Sequence, residues 1–158
     1  MRKYKSAILI MVVGVIVIFI GYRIYSNVDL IIPKLKVYCE ENNSEFWADT
    51  NGGNWFSSYG GNSFDLGDYD YKRLNEIETR EVPKESLIEF NFSHNVEFKK
   101  VELYLIKGNS NENTTLEKVD YNNNKFYSSE KEGIYGYVLE SYLDETHNIR
   151  FIFKLKCV

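Results

Sequence analysis

The sequence predicts an all-β sandwich held behind one N-terminal transmembrane helix. Three observations carry that expectation. An uncharged apolar run extends from Ser6 to Tyr22, apolar residues recur at every second position after Pro33, and Gly/Asn/Ser/Asp clusters separate those alternating stretches.

The apolar run comes first in the chain. At about 1.5 Å per residue it covers roughly 26 Å, slightly less than the roughly 30 Å hydrocarbon core. Tyr22, Ile24 and Tyr25 lengthen it if Arg23 lifts its guanidinium to the headgroups, and Tyr4, Tyr22 and Tyr25 fall where interfacial aromatics are expected. Arg2, Lys3 and Lys5 precede the run and only Arg23 follows closely, so the positive-inside rule keeps the N-terminus cytoplasmic. The expected layout is a basic tip at residues 1–5, a signal anchor at 6–25, a short linker at 26–32 and an extracytoplasmic domain at 33–158. The competing reading is a cleaved signal peptide, whose exit typically carries small residues; here it reads Ile20-Gly21-Tyr22-Arg23.

Charge bounds the partners. None of the 23 acidic residues and four of the 19 basic ones precede residue 27, so the exported part carries about −8. That balance argues against nucleic acid or anionic lipid as its partner.

Alternation defines the strands. Leu35, Val37 and Cys39 alternate with Lys34, Lys36 and Tyr38; Ile88, Phe90 and Phe92 with Glu89 and Asn91; Val101, Leu103 and Leu105 with Lys100, Glu102 and Tyr104. The last segment sets Ile149, Phe151, Phe153, Leu155 and Cys157 on one face. Weaker strands are expected at Trp55–Ser58, Thr115–Val119 and Lys125–Ser128, giving about seven or eight in all. Tyr71–Thr79 is the one helix candidate, with Leu74 and Ile77 at i, i+3 spacing before Val82-Pro83; a strand there is the alternative.

Glu132-Gly133-Ile134-Tyr135-Gly136-Tyr137 narrows the sandwich to an immunoglobulin-like one. It matches the approach to strand F, with Tyr135 as the corner tyrosine and Tyr137 in the place of the second cysteine. The alternative is any hairpin rich in tyrosine. In the variable-type arrangement the first strand runs parallel to the last, which brings Cys39 and Cys157 to one end and makes them a candidate disulfide. Such a bridge would contribute about 4–5 kcal/mol in the chain-entropy account; the alternative is a pair of buried free thiols.

Pro33-Lys34-Leu35-Lys36-Val37, Gly53-Asn54-Trp55, Ile88-Glu89-Phe90-Asn91-Phe92 and Gly136-Tyr137-Val138-Leu139-Glu140 together give a resemblance. Over roughly residues 33–158 the chain resembles small membrane-anchored or lipid-anchored exported proteins of Gram-positive bacteria. The resemblance implies fold and location, and no activity.

Candidate sites are few. Trp47, Trp55 and Tyr59 lie in a glycine-rich segment and are the candidate ligand-contact aromatics, able to stack on sugar rings if exposed; the alternative places a tryptophan in the core. Asp49–Gly52 and Asp65–Asp70 offer oxygen ligands without the calcium-loop register, so solvated loops are expected. His94 and His147 lack metal-ligand spacing, and no G-x-S-x-G nucleophile motif occurs. No catalytic, metal or cofactor residue is assigned and no cofactor is expected. The expected function is a non-catalytic interaction module whose partner is an envelope protein. Carbohydrate or cell-wall binding through the tryptophan segment is the alternative, and an envelope hydrolase the second alternative.

Overall fold

The computed structural model describes residues 11–22, 32–57, 60–64, 70–94, 96–108 and 113–158. The chain divides into two compact units, residues 1–32 and Pro33–Val158. In the first, residues 11–22 form α1, whose positions are all exposed. No helix among the described residues is long and apolar enough to cross a membrane. The expected 6–25 span runs past the described helix on both sides, and the basic tip at 1–5 lies outside the described residues.

The second unit is mostly β, with eleven strands in two sheets among the described residues. The smaller sheet has the order β2-β1-β6-β9, from Ser44–Trp47, Leu35–Cys39, Leu87–Phe92 and Lys125–Tyr127. The larger runs β4-β3-β11-β10-β7-β8, from Gly60–Phe64, Asp49–Ser57, His147–Cys157, Gly133–Tyr142, Lys100–Lys107 and Thr115–Val119. A further strand, β5 (Thr79–Val82), pairs parallel to the end of β11.

The alternating residues form the core between the sheets. Leu35, Val37, Ile88 and Phe90 of the smaller sheet are buried, as are Phe151, Phe153 and Leu155 of β11. Phe46 and Phe126 meet Phe153 across the interface, and Phe92 meets Phe151. Each such side chain removed from water contributes about 1.5–3 kcal/mol.

The larger sheet is also covered on its outer face, which the alternation did not foretell. Ile77, Ile106, Val138 and Ile152 are buried there, with Leu74 and Tyr104 packed against them. The cover is α2, Asp70–Glu76. Leu74 docks over Gly136, where an added Cβ would stand 2.5 Å from a Leu74 methyl. Lys154 Nζ donates to Leu74 O at 2.7 Å, placing a cation near the helix C-terminus. The helix stops short of the expected Thr79 because that residue opens β5.

One expectation is corrected. The parallel partner of the last strand is β5; the first strand, β1, lies in the other sheet between β2 and β6. The glycines at 52 and 53 sit inside β3, at φ 120° and 142°. The strand bulges there, with Ile149 opposite Gly53 and Phe151 opposite Thr50. A Cβ on Gly53 would stand 2.5 Å from Asn148 O, so the close approach of β11 requires glycine.

Candidate functional site

The tryptophan segment does not form an aromatic platform. Trp55 is 4% exposed, its ring packed edge-on against Phe98 and His147. Trp47, two residues before β3 begins, is 52% exposed, with Lys36 Nζ 5.2 Å from its ring. The two rings therefore differ in solvent access, because Trp55 points inward along β3 while Trp47 marks the corner where the chain leaves one sheet for the other. Tyr59 lies outside the described residues.

Neither oxygen-rich stretch is an open loop where it is described. Asp49–Gly52 belongs to β3, and the buried Asn51 donates Nδ2 to Asp70 Oδ1 at 2.6 Å. Asp70 is itself buried; residues 65–69 lie outside the described set. Among the described residues no group of three or more His, Cys, Asp or Glu is placed to hold a metal ion. His147 Nδ1 lies 2.9 Å from both Asp144 oxygens, in a turn that Asp144 caps through Thr146 N–H and His147 N–H. The His147 side-chain bond, then the Thr146 amide, hold the Asp144 carboxyl well below the usual range. Cys39 and Cys157 are unbridged in this structure, and each is about 1% exposed.

The outer face of the larger sheet carries a polar network that sequence reading missed. Arg150 Nη2 donates to Asp70 Oδ2 at 2.5 Å, and its Nε stands 3.4 Å from Glu140 Oε1, outside hydrogen-bond geometry. Tyr142 donates to Glu140 Oε2 at 2.9 Å; desolvation, then that bond, pushes the phenol up to about 12. Glu140 stands opposite Glu102 in the ladder. Hydrogen bonds from Lys100, at 2.5 Å, and Lys118, at 3.0 Å, hold the Glu102 carboxyl down at about 2. The paired carboxylates are thus each engaged by a cation or a phenol, an arrangement that ties strands together. Arg150, Lys100 and Glu102, at alternating polar positions of their strands, were the signal in the sequence.

A groove opens on one flank of the sandwich. The smaller sheet ends at β9, a strand of three residues, while the larger continues past β10 through β7 to β8. Leu103, on the inner side of β7, is fully buried, whereas Leu105 and Val119 line an opening there. The resulting groove of about 390 Å³ has Leu105, Val119 and Tyr137 among its walls. Its rim includes Tyr127, 69% exposed, with Lys107, Lys131 and Glu130. The rim turn is fixed internally: Tyr135 donates its hydroxyl to Lys131 O at 3.2 Å, and Lys131 N–H donates to Ser129 Oγ at 3.1 Å. Burial raises the Tyr137 phenol well above its ordinary range, so the groove wall is neutral there. The volume falls within the range of ligand sites, about 300–1,000 Å³.

These features define an all-β two-sheet protein with one partly uncovered flank. No protein-family model, curated protein or solved structure matches the chain.

Proposed function

We propose that the chain is a membrane-tethered extracytoplasmic interaction module that binds a protein partner and catalyses no reaction. The observation that carries this reading is β8. Among the described strands it ends the larger sheet and pairs on one side only, and four of its five residues are exposed, Leu116 among them. An open edge of this kind offers unpaired backbone donors and acceptors to a second chain.

The tether rests on the Ser6–Tyr22 run and its basic flank, and on an α1 that is apolar over its whole surface. The immunoglobulin-like reading is supported by β5 running parallel to β11, by the order β11-β10-β7-β8, and by the Tyr135 bond to Lys131 O four residues upstream. The resemblance to anchored exported proteins of Gram-positive bacteria agrees with the same location.

The test is affinity purification of the full-length protein from membranes after in-cell crosslinking. Co-purification of a defined membrane or envelope protein is the expected result. Retention of the domain on cell-wall polysaccharide with no crosslinked protein would replace this reading with carbohydrate binding. That alternative has one observation in its favour, the exposed Trp47 ring under Lys36.

A further inference from the structure

We propose that the groove between β7–β8 and β9 takes an extended acidic segment of a partner protein, added as a strand to the open edge of β9. This rests on the interaction-module reading and names where and how the module would bind.

The backbone defines the edge. Asn124 O accepts from Phe90 N–H, and Ser128 N–H donates to Ser86 O, each at 2.9 Å. Phe126 lies in register with Ile88 between them, so residues 124, 126 and 128 face β6. Lys125 and Tyr127 then face outward, because main-chain groups alternate sides along a strand. Lys125 closes on Asn122 through two bonds of 2.9 Å. Tyr127 is left presenting its N–H and C=O to the flank, where no described strand pairs with them.

The walls define the occupant. A strand laid beside β9 would cover the inner side of β7 and β8, turning alternate side chains onto Leu105, Val119 and the Tyr137 ring. The opposite alternate set would meet the rim, where Lys107 and Lys131 face Glu130. That lining is net positive in a domain carrying about −8, so the complementary side chains are carboxylates. Lys107 also reaches Glu117 at 3.2 Å, but the two side chains are 49% and 65% exposed, and such a pair exchanges readily for a new carboxylate.

The experiment uses full-length protein in detergent micelles and a fluorescent, capped heptapeptide of alternating glutamate and valine. Saturable binding read by anisotropy is expected, weakened about tenfold by Lys131→Glu, where attraction becomes repulsion. A peptide N-methylated at alternate residues keeps its side chains but loses ladder bonds, and should also bind about tenfold more weakly. The same peptide with lysine for glutamate should not bind. Binding indifferent to Lys131→Glu and to N-methylation would overturn the groove while leaving the interaction module standing. Absence of peptide binding overturns the groove assignment outright, and a partner still recovered by crosslinking would then lie at another surface. Self-association abolished by Lys131→Glu, without peptide binding, would make a second copy the occupant and overturn the peptide.

Discussion

Arg150 and Asp70, eighty positions apart, meet through a 2.5 Å hydrogen bond that ties α2 to the centre of the larger sheet. Asp70 is 3% exposed and also accepts from Asn51, so removing it leaves a half-buried guanidinium and a buried amide without their acceptor. Asp70→Ala should cost about 3–5 kcal/mol, the usual result of breaking one side of a buried pair. Adding Arg150→Met should recover part of that loss. Urea unfolding of the three variants measures both steps, and a near-neutral Asp70→Ala would show that the pair does not anchor the helix.

Gly53 is a tightly constrained position in β3. At φ 142°, with Asn148 O 2.5 Å from where a Cβ would stand, neither the backbone nor the neighbour can yield cheaply. Gly53→Ala should lower stability by about 2 kcal/mol or more. Gly136→Ala meets only the mobile end of Leu74 and should cost less. Thermal melts of the two variants check the order.

Acid should destabilise the domain through Glu102. Its folded pKa is depressed from 4.5 to about 2, so its contribution is complete above about 4.5 and is lost as pH falls toward 2. Asp144, also depressed, acts in the same direction. Stability measured in urea at steps of pH should fall across that window, and Glu102→Gln should flatten the slope. An unchanged slope in the variant would remove Glu102 from the account.

The two tryptophans should report different environments. Acrylamide should quench Trp47 strongly and Trp55 weakly, given exposures of 52% and 4%. In Trp47→Phe protein the remaining emission should be blue-shifted and protected. Equal quenching of the single-tryptophan variants would contradict the packing of Trp55 on Phe98.

Cys39 and Cys157 should resist alkylation in the native state and react together on unfolding, since both thiols are buried. Mass analysis after iodoacetamide, with and without urea, reads this directly. A non-reduced mass two hydrogens lighter than the dithiol would establish the bridge instead.

Period-two alternation by itself determined that residues 35–39, 88–92 and 149–157 are strands and which side chains face the core between the sheets, because successive side chains of a strand point to opposite faces. Leu74 and Ile77 likewise marked α2 through their spacing. Alternation assigns a face but not a neighbour; the variable-type arrangement placed β1 beside β11, where β5 stands. The glycines at 52 and 53 signal an unusual backbone in either case; only the close approach of β11 made them a bulge instead of a turn. The Asp70–Arg150 bond and the Tyr127 groove join residues that no local pattern links. They exist because sheet order brings distant strands together and stops one sheet before the other, and that choice is made by packing across the whole domain.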